Sequence, residues 1–366
     1  MSIVELMRPN AARDLAWLQE ALQAAVELEF FTLPPYLTAM WSIKDERHPA
    51  VATIRAVVEE EMTHMALAAN LLAAIGGVPC VNRPPAIPEY PRPMPGGVKP
   101  HLVVGLQGLT KEVVRVFMLI EEPAEPLEFE ARFAARGEIF PRIGAFYDAI
   151  QETFHQLNPT LSVDRQIAAP LAPLVVANLD DVDRAINLIR TQGEGSNVSP
   201  ADESLEDLAH YYRFQELERG QRLVFDPLRQ TYRWRGSLPF PEVYPVAPVP
   251  AGGYRDDEVS DEAAAWSRQF DYAYTNLLDA LQGAWETEGQ AALWRAIEWM
   301  FALKGSARAL MAIPVPGTDF TYGPSFRYRG PSFGRRGTGS APIAQGTFSG
   351  ERYGIPRRNQ LDLAHG

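Results

Sequence analysis

The sequence has little of three features that would point to particular classes of protein: cysteine, excess basic charge and long apolar runs. Cys80 is the only cysteine among 366 residues, which excludes an internal disulfide and is typical of a reducing, cytoplasmic compartment. The 34 Lys and Arg residues are outnumbered by 46 Asp and Glu residues, so the net charge is −12. This charge argues against a nucleic-acid or anionic-membrane partner, because both need clustered cations.

The chain also lacks an uninterrupted apolar run of about 18 residues, the length that a transmembrane helix needs. Its first residues, MSIVELMRPNAARDLAW, do not contain the apolar segment and small cleavage-site residues of a signal peptide. The sequence therefore predicts a cytoplasmic protein with no membrane partner.

Helical periodicity dominates what the sequence does contain. Hydrophobic residues make up 46% of the chain and recur three and four positions apart. We predict helices over these segments: 12–31, 49–75, a short one after Thr110, 139–157, DDVDRAINLIRTQ, 200–220, 260–285 and 288–313. Pro34-Pro35 should break the first helix, and Gly76-Gly77 should end the second. No β-rich region is evident, so the predicted fold class is all-α.

Three regions are expected along the chain. Residues 1–232 should form a helical bundle, and a Pro-rich connector begins at residue 233. Two amphipathic helices then extend to residue 313 and should pack on the bundle. Residues 314–366 are rich in Gly, Pro, Ser and Arg, which predicts an extended tail.

The stretch EEEMTHMALAANLLAAIGG, residues 59–77, places two ionisable residues on the apolar face of a predicted helix. Glu61 and His64 lie within a stripe of residues spaced three and four apart, whereas Glu59 and Glu60 fall outside it and can face water. Burying an unpaired carboxylate costs several kcal/mol, so this pair needs compensation. A metal ion would supply it, because Glu-x-x-His directs both side chains to one ion. A buried histidine–carboxylate hydrogen bond is the alternative for this motif alone.

Further carboxylates and a histidine extend the motif to a possible dinuclear set. Glu29 interrupts the apolar face of the first helix, and Asp207-x-x-His210 repeats the helical spacing later in the chain. One Glu from each of two helices and Glu-x-x-His from each of two others can hold two carboxylate-bridged metal ions. The remaining ligand has two candidates. Glu121 shares the apolar face of its short helix, whereas Glu152 lies on the longer helix that precedes His210.

Six ordered blocks of the sequence resemble a known family. They are AVELEFFTLPPYLTAMWSI, EEMTHMALAANLLAAIGGVP, FMLIEEPAEPLEF, QGEGS, LAHYYRF and GPSFRY. Together they look like the ferritin-like family related to iminophenylpyruvate dimer synthase, whose best-known members act in bisindole pigment pathways such as violacein. The resemblance covers most of residues 12–330. It implies a ferritin-like four-helix bundle in which Glu29, Glu61, His64 and His210 are metal ligands.

The chain departs from the family's pattern at two positions. Asp207 stands where a glutamate is expected, and Ala145 stands where an acidic residue is expected. Asp148 or Glu152 would then be the nearby substitute for Ala145. A site with a single metal ion is the alternative.

The resemblance implies an iron-dependent oxidase, oxygenase or oxidative coupling enzyme that uses O₂ or peroxide. Its substrate would be a small, amino-acid-derived aromatic molecule of specialised metabolism. Carboxylate and imidazole ligands without thiolate favour iron or manganese, with copper and zinc as alternatives. Tyr36, Tyr212 and Arg213 are candidate substrate-binding residues, although core packing and salt bridges are their commoner uses.

Other interpretations of the same sequence belong to different functional classes. One is a metal-binding or ferroxidase-like protein without an organic substrate. Another is a catalytically silent helical scaffold, which the missing carboxylate at Ala145 would favour. A homodimer and a pathway enzyme that delivers the substrate are the expected protein partners.

Overall fold

Helices make up most of the part of the chain that the structure describes. The computed structural model describes residues 2–9, 11–123, 143–194, 208–331 and 333. Its helices are α1 (Ile3–Leu6), α2 (Leu15–Ser42), α3 (Pro49–Ala74), α4 (Lys111–Ile120), α5 (Ile143–Leu157), α6 (Leu179–Glu194), α7 (His210–Arg219), α8 (Asp261–Gly283) and α9 (Gly289–Met311). Its strands are β1 (Arg92–Pro93), β2 (Val103–Val104), β3 (Arg222–Asp226) and β4 (Thr231–Arg235). The predicted all-α class is confirmed.

Two pairs of helices form the bundle. The short loop 43–48 joins α2 to α3, so these helices run antiparallel, and they pack along each other. α4 packs chiefly against α7, although α5 and α6 lie between them in the chain. α7 also contacts α3, while α5 packs against α2 and α6 packs against α3. The middles of α2 and α3 therefore face the ends of α4 and α7.

The prediction that Pro34-Pro35 breaks the first helix is wrong. α2 continues through both prolines to Ser42, and the residues around them are buried. Pro35 has no N–H with which to pair the carbonyl of Phe31, four residues earlier. The hydroxyl of Tyr90 donates to that carbonyl instead, at 2.5 Å. A tertiary hydrogen bond thus replaces the missing helical one, and sequence periodicity does not reveal it.

A further antiparallel pair, α8 and α9, packs on the bundle through contacts between α9 and α2. A π-helical turn, Ala284–Glu288, joins the two helices. Trp285 in this turn is fully buried, and its indole N–H donates to the side chain of Asn70 on α3 at 3.2 Å. The C-terminal helices therefore share a core with the bundle.

The two strand pairs are short additions. β3 and β4 form an antiparallel hairpin directly after α7, with Arg222 opposite Arg235 and Asp226 opposite Thr231. No strand was predicted here, although TYRWR alternates polar and aromatic residues in the way that a half-exposed strand does. Among the described helices, none combines the length and apolar character needed to cross a bilayer.

The beginning of the predicted C-terminal tail is held against α8 by a buried carboxylate. Asp271 is 2% exposed, accepts a 2.9 Å hydrogen bond from the hydroxyl of Ser325, and lies 3.8 Å from the guanidinium of Arg329. Burial raises the pKa of Asp271 from 3.8 to about 6, although these partners oppose the shift. Of the predicted tail 314–366, residues after 333 lie outside the described residues.

We expect Asp271→Asn to gain stability relative to the wild type as the pH rises. Because its pKa is raised in the folded state, the protonated Asp271 stabilises the folded wild type at low pH. The wild type loses this stabilisation as the pH increases through about 6. The difference in unfolding free energy should shift in favour of the variant by about 2 kcal/mol between pH 4 and pH 8. Urea unfolding at both pH values measures it. Glu262→Gln, at an exposed position of the same helix, is the control. A pH-independent difference for Asp271→Asn would contradict this account.

Candidate metal centre

Five buried or nearly buried ionisable side chains meet where the two helix pairs face each other. Glu29 projects from the middle of α2, and Glu61 and His64 project from the middle of α3, each at most 6% exposed. Glu121 caps the C-terminus of α4, and its side chain is 9% exposed. His210 is the first residue of α7 and is fully buried. The predicted inward stripe of α3 is therefore present in the structure.

Glu61 belongs to two overlapping groups, each of which offers three ligand atoms within 4.8 Å of one another. In the first, Nδ1 of His64 lies 3.7 Å from Oε2 of Glu29 and 3.6 Å from Oε1 of Glu61. In the second, Nδ1 of His210 lies 2.8 Å from the same Oε1 of Glu61 and 3.5 Å from Oε2 of Glu121. We call these groups the His64 position and the His210 position. Glu61 is the residue that the two groups share.

Each carboxylate has one oxygen held by a hydroxyl group and the other turned toward a histidine. The hydroxyl of Tyr147 donates to Oε1 of Glu29 at 2.5 Å, and that of Thr32 donates to Oε2 of Glu61 at 2.7 Å. The hydroxyl of Tyr36 donates to Oε1 of Glu121. These hydrogen bonds fix the orientation of the carboxylates, which leaves Oε2 of Glu29, Oε1 of Glu61 and Oε2 of Glu121 directed into the cluster.

The two imidazole rings are also fixed on the side away from the carboxylates. Nε2 of His64 lies 2.8 Å from Oε1 of Gln192 on α6, and Nε2 of His210 lies 2.8 Å from Oε2 of Glu60 on α3. Metal-binding histidines characteristically donate their second ring N–H to an oxygen acceptor, which sets the tautomer. Both rings therefore present Nδ1 to the cluster, and their centroids are 5.5 Å apart at an interplanar angle of 22°.

The Nδ1 atom of His210 provides a test of whether a metal ion fits. It is buried and, among the described residues, has no hydrogen-bond partner, even though Oε1 of Glu61 lies 2.8 Å away. The contact with Glu61 is thus an ion pair without hydrogen-bond geometry, and a buried polar atom without a hydrogen bond is costly. A metal ion between the imidazole and the carboxylates would use this nitrogen, so the arrangement fits a metal centre.

Without a metal ion, protonation of the two histidines compensates the negative charge of the neighbouring carboxylates. Burial alone would lower the pKa of His64, but the carboxylates of Glu29 and Glu61 outweigh it and raise that pKa to about 10. Burial would likewise lower the pKa of His210, but the carboxylates of Glu121, Glu60 and Glu61 raise it well above its ordinary value. Burial raises the pKa of Glu29, whereas both histidines lower the pKa of Glu61 despite its burial. In the metal-free site the two histidines are thus favoured as imidazolium groups beside the carboxylate of Glu61.

A small cavity of about 50 Å³ adjoins the cluster. Glu29, Glu61, His64 and Glu121 form its inner wall. Apolar and small residues continue the lining: Leu28, Met94, Ile120, Ile143, Gly144 and Ile189. Arg190 also lines it and pairs with Asp148 at 2.8 Å, which places a cation beside the cavity.

The structure brings Glu121, and not Glu152, to the cluster. The side chain of Glu152 is 62% exposed and pairs with Arg13 at 3.0 Å. α5 also reaches the cluster, through Tyr147, but Glu152 lies on its solvent-facing side. Glu121 lies at the end of α4, which packs against α7 and its His210. Ala145 is exposed, which means that a carboxylate there would not face the cluster. Asp207 lies outside the described residues.

The three predicted substrate-binding residues have other contacts in the structure. Tyr36 is fully buried, and its ring packs against Phe117 at a centroid distance of 4.5 Å. Tyr212 is 3% exposed and belongs to a small apolar cluster next to the β3–β4 hairpin. Arg213 pairs with Glu60 at 2.9 Å. None of these three residues lines the cavity among the described residues.

Several residues around the candidate ligands were not predicted from the sequence. Glu60 is not directed simply to water, as its position off the stripe suggested; it contacts His210, because α7 packs on that flank of α3. Thr32 lies three residues after Glu29, so helical spacing could have suggested it. Tyr147 and Gln192 carry no such signal, since they come from α5 and α6.

Comparison with known proteins supports the architecture. A sequence model of the family described as Ferritin-like matches residues 22–219, which contain Glu29, Glu61, His64, Glu121 and His210. The crystal structure of a ferritin-like protein from Caulobacter vibrioides is 24% identical to this chain, with a TM-score of 0.59. The match covers 85% of this chain and 97% of the Caulobacter chain. Among curated proteins, no match to this chain was found.

The raised histidine pKa values predict that metal affinity increases with pH. His64 and His210 hold protons in the metal-free protein, and a metal ion must displace them. Between pH 6 and pH 8, the association constant for Mn²⁺ should rise about tenfold per pH unit for each proton displaced. Calorimetric titration in buffers of different ionisation enthalpy counts those protons.

His155→Gln is the matched control for this titration. His155 lies 2.8 Å from Asp183 on the exposed face of α5, away from the cluster. The variant should release as many protons as the wild type. Binding with no proton release and no pH dependence would contradict the charge state described for the site.

Proposed function

Because the chain belongs to the ferritin-like family, we propose that it is a non-haem iron enzyme that oxidises a small organic molecule with O₂ or peroxide. The observation that carries the proposal is the sharing of Glu61 between two three-residue ligand groups. A carboxylate shared in this way suits a dinuclear centre. The substrate class implied by the sequence resemblance is an amino-acid-derived aromatic molecule of specialised metabolism.

The donor atoms of the cluster support the choice of iron. They comprise three carboxylate oxygens and two imidazole nitrogens, and Cys80 lies elsewhere, near the carbonyl of Arg83. Oxygen and nitrogen donors without thiolate suit iron and manganese, with copper and zinc as the alternatives. Iron is preferred in the proposal because its redox chemistry matches the proposed reaction.

When bound, the metal centre would supply the electrons and open coordination positions needed to activate O₂ or peroxide. The chain itself contributes positioning. Tyr147, Thr32 and Tyr36 hold the three carboxylates through their hydroxyl groups, so the ligands are oriented before metal arrives. The apolar walls of the cavity limit the access of water to the cluster. Arg190 offers a guanidinium that could orient a carboxylate on the substrate.

A ferroxidase-like function without an organic substrate is the second candidate. The observation that favours it is the cavity of about 50 Å³ among the described residues, which has room for O₂ or a few water molecules rather than an aromatic ring. A catalytically silent scaffold has less support. The exposed position of Ala145 removes the sequence feature on which that interpretation depended.

Anaerobic loading with Fe²⁺ should give about two irons per chain in the wild type. Glu61→Ala should lose both, because Glu61 belongs to both ligand groups. Glu152→Ala, at an exposed position outside the cluster, is the matched control and should retain both. Absence of bound iron in the wild type, with manganese, copper and zinc also tested, would overturn the proposal of a metalloenzyme.

The reaction is tested by O₂ uptake of the iron-loaded protein. An enzyme with an organic substrate should show uptake that continues in proportion to the amount of an added aromatic amino acid or imine. A ferroxidase-like protein should show uptake that stops when the added Fe²⁺ is oxidised, regardless of the organic compound. The second result across a broad set of aromatic compounds would favour the ferroxidase-like function.

A further inference from the structure

We propose that the two metal positions are unequal, and that Glu60 and Gln192 set the difference. The His210 position binds its ion more tightly, and its histidine does not line the cavity, whereas the His64 position is weaker and is the one at which small ligands from the cavity bind. This inference rests on the proposed metal centre. It adds the order of filling and the identity of the reactive position.

The first observation is the chemical difference between the groups that hold the two imidazoles. Both Nε2 atoms lie 2.8 Å from an oxygen, but His64 faces the neutral amide of Gln192 and His210 faces the carboxylate of Glu60. A hydrogen bond to a charged acceptor is roughly twice as strong as a neutral one. It also increases the donor strength of the ligating nitrogen. His210 should therefore bind its ion more tightly than His64.

The second observation is that Glu60 is itself held in place. Its Oε1 accepts a hydrogen bond of 2.9 Å from Arg213, while Oε2 faces His210. Nε of Arg213 in turn donates to the carbonyl of Leu208 at 2.5 Å, and its side chain is only 11% exposed. This chain of contacts fixes the carboxylate against the ring. It also gives Arg213 a positioning role in place of the predicted contact with substrate.

The third observation is the location of the cavity. Its lining includes Glu29, Glu61, His64 and Glu121 but not His210, among the described residues. His210 is fully buried, and the rings of Tyr36, Phe117 and Phe214 pack together close to its partner Glu121. All three members of the His64 position thus line the cavity, whereas the histidine of the His210 position does not, so the His64 position is the more accessible to an incoming small molecule.

Stepwise titration of the metal-free protein with Co²⁺ tests the proposal, because visible absorption of Co²⁺ reports its ligands. The wild type should bind two equivalents in two resolved steps. Added azide should change the spectrum of the second equivalent and leave that of the first unchanged.

Two reciprocal variants identify which position gives each step. Glu60→Gln should weaken the first step about tenfold, because His210 then faces a neutral amide. Gln192→Glu should strengthen the second step by a similar factor, because His64 then faces a carboxylate. Glu59→Gln makes the same change of charge at an exposed position of α3 and should alter neither step.

Two equal binding steps, or an azide response from the first equivalent, would overturn the inference while leaving the proposed dinuclear centre intact. The inference would also be overturned if Glu60→Gln weakened both Co²⁺ binding steps equally. Absence of Co²⁺ binding in the wild type would instead overturn the proposed centre, and the inference with it.

Discussion

The structure depends on one constraint: Glu61 carries a carboxylate into the middle of a helical core, where an uncompensated charge would cost several kcal/mol. Each of its two carboxylate oxygens has its own stabilising contacts. One accepts a hydrogen bond from Thr32, and the other faces Nδ1 of both His64 and His210. Because two histidines converge on one oxygen atom, the ligand groups on either side of it are coupled.

The rest of the bundle is arranged so that these groups can meet. α2 must remain helical through Pro34-Pro35 to keep Tyr36 beside Glu121, and Tyr90 supplies the hydrogen bond that makes this possible. α4 and α7 are short, and the cluster uses their termini rather than their middles: Glu121 follows the last residue of α4, and His210 begins α7. The ends of two helices thus position two of the five candidate ligands.

Helical periodicity determines which parts of this arrangement could be predicted from the sequence. Glu29, Glu61 and His64 interrupt the apolar faces of long helices, so their inward direction was predictable, and the motif around His210 repeated the spacing. The all-α class and the ferritin-like family were predictable from the same periodicity and from the ordered sequence blocks, respectively. Periodicity describes one helix at a time, however.

Properties that depend on which helices are neighbours were not predictable. The choice between Glu121 and Glu152 required the knowledge that α4 pairs with α7 across a long intervening segment. The contacts of Glu60, Tyr147 and Gln192 with the ligands depend on the same packing. The continuity of α2 depended on Tyr90, a residue more than fifty positions away in the sequence.

The most direct test of the account is anomalous diffraction at the iron edge from crystals of the iron-loaded protein. The account predicts two anomalous peaks, one among Glu29, Glu61 and His64 and the other among Glu61, Glu121 and His210. The first should lie next to Nδ1 of His64 and the second next to Nδ1 of His210. Iron bound elsewhere, or a cluster without an anomalous peak in crystals that contain iron, would contradict it.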